Sequence, residues 1–428
     1  MGNSKIFIAD KETLDKVYNL LAVEPVYGFI EHNAILAPGE RIEYVGLNKN
    51  FSPISVTMGG GFSLNDWANF PWLKANKPYM VRSDGSPDYR LKESNYTMKE
   101  DGSASDVANA SYDGGAFSWA MKIYKREYMV GDDRVVLFRF EKADGFEPVG
   151  FIDPDGNELE GAWIPMFYGA TTGSAGEEKM RSISGTQPQH TVTTDAQKTA
   201  IGKVGSRAFF FGGSLVNTLI DLEIMFAKTT NLQAAYGQGN CSGYDASQTP
   251  TMGVKQNAVV GGGQFFGTSD GKSLNKIFHS IVLGSYQIWC RDPYQLEVNG
   301  RFKVSPHYKY DLTGATYQDT GIQVPNDAEG WDGGSNKMTY PAHYQTVPGF
   351  GHLPAGTMDG GTSSTGGCDG LWRKKPTVAH TGVSLRFGHC DDGLACGGRY
   401  LDFGNAAANA RWFIGSALLL LPPVGVAV

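Results

Sequence analysis

Three soft ligands fall within eight residues near the C-terminus, His389, Cys390 and Cys396. That grouping could open a zinc site, which takes four ligands at tetrahedral angles. No fourth ligand stands beside them, although Cys368 or His380 could fold back. A buried pair of thiols, Cys390 with Cys396, is the default expectation, with no metal and no cofactor. Gly271-Lys272-Ser273 suggests a phosphate loop, but that loop needs a glycine five residues before Gly271. Phe266 stands there and Gly267 is one place off, so the backbone donors could not form the nest. Asp153-Pro154-Asp155-Gly156-Asn157 is like the opening of a calcium loop. Ile164 occupies its twelfth position, where a bidentate Glu is required, so a hairpin turn is expected. Asp391-Asp392-Gly393 likewise reads as a turn. The eight histidines are scattered, with neither a Gly-x-Ser-x-Gly elbow nor His-Glu-x-x-His. The expectation is a protein that is not an enzyme. A carboxylate pair for glycosidic cleavage stays open as an alternative, because its members need not be close in sequence.

Whatever these residues do, the surrounding elements must position them. With 428 residues the chain has room for two or three domains. Apolar residues make up 41% and charged residues only 19%, which excludes a disordered chain. The 56 Gly and 20 Pro show no Gly-X-Y period, so they argue for short strands joined by tight turns. A net charge of −7, with no basic block longer than Arg373-Lys374-Lys375, argues against a nucleic-acid partner. Five cysteines, an odd number, argue against a disulfide framework and for folding in a reducing compartment. The first ten residues show no signal-peptide pattern. The apolar stretch Phe413–Val428 is 16 residues long and broken by Pro422-Pro423, short of the roughly 20 a membrane-spanning helix needs. A buried final strand with a short tail is expected, and no membrane insertion.

Residues 10–22, with Leu14, Val17, Tyr18 and Leu21 at helical spacing, predict a short amphipathic helix. Strands are expected at Val26–Ile30, Arg41–Val45, Phe117–Tyr124 and Arg134–Phe140. A long helix is expected after Gly212-Gly213, with Ser214 as its cap and Leu215, Leu219, Leu222 and Phe226 on one face. The span 314–370 is so rich in turn formers that a long loop is expected, wrapped by Trp331, Tyr340 and Phe350.

The segment Leu385-Arg386-Phe387-Gly388-His389 through Gly397-Gly398-Arg399-Tyr400-Leu401-Asp402-Phe403-Gly404-Asn405, followed by Trp412-Phe413-Ile414-Gly415, resembles the last strands of C-type-lectin-like domains of the formylglycine-generating-enzyme type. Such domains occur in phage virion proteins and in targets of diversity-generating retroelements. Phe387 stands where the family has the first Gly of a pair, and Ala417 where it has a final Arg. Lys179–Gly185, Lys228–Asn240 and Gly284–Trp289 resemble earlier elements of that fold. The N-terminal half is similar in order to tail or fibre proteins of phages of gut bacteria. The calcium-dependent sugar motif is not matched, since Val324 precedes Pro325-Asn326-Asp327, and Cys390 with Cys396 does not match the oxidase spacing. The resemblance thus implies a fold without either chemistry.

The resulting expectation is an α+β protein, a β-rich N-terminal region followed by a C-type-lectin-like domain. Its parts would be an attachment segment (1–25), a β-rich domain (26–150) and the lectin-like domain (151–428) with the Gly-rich insertion 314–370. Loops rich in Gly, Asn, Asp, Tyr and Trp on a rigid scaffold suit recognition. The expected ligand-facing set is His389, Asp391, Asp392, Tyr400, Asp402, Asn405, Asn409, Arg411 and Trp412, with Tyr400 and Trp412 as core aromatics the competing reading. The function implied is a phage virion structural protein, tail or fibre, that binds a host or mucosal surface glycan or protein. Other virion proteins are expected as partners, and a homo-oligomer such as a trimer. The alternatives are a purely architectural capsid-decoration or collar protein and a cell-surface polysaccharide hydrolase.

Overall fold

The computed structural model describes residues 25–325, 335–356 and 361–428. The helix expected over 10–22 and the anchor Trp331 lie outside the described residues. The protein is strand-rich, 31% strand against 12% helix, and therefore mostly β, to which the expected α+β class corresponds only loosely. Among the described residues no helix is long and apolar enough to cross a membrane.

The early apolar runs form the strands their β-branched and aromatic content favours. Tyr27–Glu31 pairs antiparallel with Ile42–Gly46 on one side and Asp133–Arg139 on the other, and Tyr124–Val130 closes this four-stranded sheet. A six-stranded sheet runs in the order Ala208–Phe210, Leu418–Leu420, Gly161–Pro165, Gly114–Met121, Pro78–Arg82, Pro87–Arg90. It contains the expected buried final strand, whose three leucines are fully covered. The boundary expected at residue 150 falls inside this sheet, because Gly114–Met121 pairs directly with Gly161–Pro165. One apolar cluster also runs from Phe29 to Leu421. Residues 26–150 therefore share their core with the rest of the chain; Trp119 and Trp163, opposite each other with rings 4.7 Å apart, weld the two stretches.

The third sheet positions the C-terminal segment. Its order is Gln318–Gln323, Arg301–Val304, Trp289–Val298, Thr381–Arg386, Leu401–Asp402, Leu371–Lys374, Asn336–Thr339, with Ile414–Gly415 parallel to Trp289–Cys290. The 314–370 span is thus no featureless loop. It supplies two strands to this sheet and the Tyr344–Val347/Gly351–Pro354 hairpin, and buries Ile322, Val347, Phe350 and Leu353 in one cluster with Phe302, Leu371, Leu401 and Phe403. Its glycines disguised short strands as a run of turns.

The Gly213–Ala227 helix lies between these layers with every residue buried, including Asp221 and Glu223. A helix covered on all sides belongs to the centre of a large core. Ser214 is not its cap: Asp292 accepts the Gly213 N–H (2.8 Å), while the Ser214 hydroxyl donates to the Pro306 carbonyl (2.7 Å). Asp221 meets Lys125 (2.6 Å) and Arg134 (2.5 Å). Arg134 reaches on to Glu31 (3.2 Å), which also receives Arg41 (3.0 Å) and both Nη atoms of Arg399 (2.7 Å each). These fully covered side chains tie the first strand to the C-terminal segment across 368 residues of sequence.

Candidate functional site

Leu401–Asp402 and Leu371–Lys374 run parallel, pairing Trp372 with Asp402, and Asn336–Thr339 flanks them at the sheet edge. Beyond Asp402 the chain leaves the sheet and loops over residues 404–413 before returning at Ile414. Between loop and edge lies an open cleft of about 420 Å³, lined by Asn336, Trp372, Arg373, Asp402, Gly404, Asn405, Asn409, Arg411, Trp412 and Phe413.

The loop backbone is held from beneath. Arg291, fully buried, donates to the Val192 carbonyl (2.9 Å), the Asn409 carbonyl and the Thr194 hydroxyl (2.8 Å). The Thr194 N–H and hydroxyl both donate to the Ala407 carbonyl (3.0 and 2.9 Å), and the Thr191 N–H donates to the Arg411 carbonyl (2.9 Å). Carbonyls are thereby satisfied on the inner side while side chains are left to project outward. Burial lowers the Arg291 guanidinium to about 10, so it is still charged at neutral pH.

Above this base the side chains form a relay. Asp402 accepts the Gly404 N–H (2.5 Å) and the Asn405 side-chain Nδ2 (2.8 Å), and the Asn409 side-chain Nδ2 donates to Asn405 Oδ1 (2.9 Å). Burial pushes the Asp402 carboxyl up to about 6, assisted by nearby Asp392, against the pull of the Gly404 N–H and the Asn405 amide. At the other end of the cleft Trp412 stacks on His389, rings 5.5 Å apart and 20° from parallel. The His389 backbone N–H donates to the Asp392 carboxylate (3.0 Å), which also lies 2.8 Å from the His389 Nδ1. Tyr244, 42% exposed, leans on the Trp412 ring at 5.5 Å and extends the aromatic surface.

Of the nine expected residues, Asp402, Asn405, Asn409, Arg411 and Trp412 line the cleft. His389 and Asp392 adjoin it through Trp412, and Asp391 is exposed on the turn beside them. Tyr400 is corrected. It is 1% exposed, its ring packs on Trp289 at 4.5 Å, and it belongs to the core, as large aromatics commonly do. Asp402, only 7% exposed, serves the cleft as an inner wall that orients Asn405. Tyr244, Asn336, Trp372, Arg373 and Arg291 were not anticipated. The alternation in Leu371-Trp372-Arg373-Lys374, where Trp372 and Lys374 are the less covered pair, was the available signal for one of them.

The expected thiol pair is also corrected. Cys390 donates to the Met252 carbonyl (3.5 Å), whereas Cys396 donates to the His389 carbonyl (3.5 Å). All five cysteines are free and buried, and no cluster of three or more His, Cys, Asp or Glu able to hold a metal occurs among the described residues. The Asp153 turn is a turn: its Oδ1 accepts the N–H groups of Asp155 (3.1 Å) and Asn157 (2.9 Å). Compared with known proteins, no family model matches the chain, and the search of curated proteins finds no match.

Proposed function

We propose that this chain is a recognition protein of a phage virion, resembling C-type-lectin-like tail or fibre proteins, and that the 404–413 cleft binds a glycan or protein on a host or mucosal surface. The observation that carries the recognition part is the loop itself, whose carbonyls are pinned by Arg291, Thr191 and Thr194 while Asn405, Asn409, Arg411 and Trp412 line the cleft above. Pinned backbone with varied side chains lowers the ordering cost of binding. An aromatic face beside amides, a carboxyl and a guanidinium supplies stacking and directional hydrogen bonds together, which suits a polyhydroxylated ligand. Binding rather than bond cleavage is favoured because Asp402 is the one carboxylate among the described residues lining the cleft, whereas glycosidic cleavage uses a pair. The virion assignment rests on the sequence resemblance.

Binding of purified protein to a glycan array and to host cells tests the reading. Asn405→Ala with Asn409→Ala, and separately Trp412→Ala, should weaken binding about tenfold or more. Undiminished binding by both variants would move the site elsewhere.

A further inference from the structure

Tyr244 is a large ring held in the open. It is 42% exposed, on a loop, 241–252, that belongs to no strand or helix. The backbone beneath it is fixed at several points. The Ser242 N–H donates to the Gly271 carbonyl (2.7 Å), the Tyr244 N–H to the Cys390 carbonyl (2.8 Å) and the Asp245 N–H to the Met252 carbonyl (3.1 Å). Asp245 Oδ1 accepts the Ser247 N–H (2.9 Å) and hydroxyl (2.6 Å), and its Oδ2 accepts the Gln248 side-chain Nε2 (3.0 Å). A rigid aromatic that covers little of the core is suited to contact something else, at a small cost in side-chain ordering.

The ring it leans on is Trp412 of the cleft, 5.5 Å away and tilted by 37°. A tilt of that size keeps the two from closing face to face, so they make a stepped surface that continues out of the cleft. Aromatic rings also back the step. Trp412 stacks on His389, and Phe413 meets Trp412 (5.4 Å, 89°) and His389 (5.0 Å, 80°) edge-on. Asp391 follows Cys390, whose carbonyl holds Tyr244, so an exposed carboxylate stands on the adjoining turn. We propose that Tyr244 is a second stacking position beside the cleft, and that the ligand is a glycan chain with one sugar ring at Trp412 and the next at Tyr244. The C–H face of a sugar ring packs on an aromatic face while its rim hydroxyls donate to acceptors such as Asp391. Two adjoining faces on a fixed step match rigid rings joined in a chain. A single terminal sugar would leave Tyr244 unused, and a peptide has no repeat of such rings to offer.

This inference rests on the reading of the 404–413 cleft as a binding site. The full chain is tested on an array carrying length ladders of N-acetyllactosamine, chito- and manno-oligosaccharides, each from the single ring upward. Affinity within the ladder that binds should rise about tenfold from the single ring to the longer chains. Tyr244→Ala should bring the longer chains down to the single-ring affinity, and Tyr244→Phe should restore the rise, because stacking needs the ring and not the hydroxyl. The urea midpoint of Tyr244→Ala should match wild type, since the ring is exposed. Equal affinity for single rings and chains, a rise that survives Tyr244→Ala, or binding to no ladder at all would overturn the proposal, as would a cell-surface ligand destroyed by protease. The two readings fall separately. Binding lost in Asn405→Ala with Asn409→Ala but unchanged in Tyr244→Ala removes the second position and keeps the cleft, whereas undiminished binding in the double variant removes both.

Discussion

Replacing Glu31 by Gln probes the buried charge cluster that joins the first strand to the cleft segment. Arg41, Arg134, Arg399 and Lys125 face Glu31, Asp221 and Glu127 there, four cations to three carboxylates. His352 adds no charge at neutral pH, because burial drives its imidazole down to about 3. Burial alone would raise the Glu31 carboxyl, yet the charges of Arg399 and Arg41, with Arg134, outweigh it and hold the group well below the carboxylate range. Gln keeps the shape but leaves four cations against two carboxylates; two of the four Glu31 contacts stay as hydrogen bonds to a neutral oxygen and the other two set an amide N–H against an arginine N–H. Breaking one partner of a fully buried pair costs about 3–5 kcal/mol. Equilibrium urea unfolding should register a loss of that order in Glu31→Gln, while Glu100→Gln, on an exposed pair with Arg90, should stay within about 0.5 kcal/mol. Adding Arg399→Met to Glu31→Gln should cost less than the sum of the two single changes, since it removes one uncompensated cation. The pH sign follows: a depressed carboxyl contributes stability above its unfolded value near 4.5, which is lost as pH falls through the folded value. Glu31→Gln should therefore flatten the acid limb. A loss below about 1 kcal/mol, or additivity with Arg399→Met, would refute the reasoning.

Burial pushes the Asp369 carboxyl up to about 8, so its stabilising contribution is complete below the ordinary carboxylate range and fades as pH rises toward 8. Asp369→Asn should accordingly gain about 1 kcal/mol or more relative to wild type between pH 6 and 9 in urea unfolding; a constant difference would contradict it. Gly397→Ala should cost about 2 kcal/mol or more in the same assay, because its Cβ would sit 1.9 Å from buried Asp369 Oδ1, whereas Gly39→Ala, with open space around it, should change little. Tyr400→Ala should lose about 3–5 kcal/mol by emptying the pocket against Trp289, and Asn409→Ala should keep its stability within about 0.5 kcal/mol while weakening ligand binding. Equal effects of the two on stability would undo the division between core and cleft drawn here.

What the sequence made legible follows from how local each cause is. Strands near 27–31, 42–46 and 133–139 and the Gly213–Ala227 helix announce themselves by apolar spacing and flanking Gly or Asp, which are neighbours in the chain. Five cleft residues were likewise within reach, because they crowd one short polar loop ahead of a buried strand. Tyr400 misled for the opposite reason: its flanks read as an exposed strand, but the ring that covers it, Trp289, is 111 positions away. The same holds for the 314–370 span, where Gln318–Gln323 and Asn336–Thr339 gain their partners from Arg301–Val304 and Leu371–Lys374 outside it and show no period of their own.

The buried charges extend this to function. Glu31 looks like an ordinary surface acid after an apolar run, and Arg399 like a loop cation. Only the fold brings them to 2.7 Å. Asp369 accepts the Arg399 N–H at 2.6 Å, so the residue entering the Tyr400–Asp402 stretch is clamped at its side chain by Glu31 of the first strand and at its backbone by an acid just ahead of Leu371–Lys374. An unpaired buried charge is far costlier than a misplaced apolar group, so such a clamp admits one arrangement and rejects near neighbours. The 404–413 loop begins two residues past Asp402 and inherits that fixed origin, while Arg291 fixes its far side. Variation in Asn405, Asn409, Arg411 or Trp412 can then alter what is bound without altering where the loop stands, the division of labour a recognition surface needs.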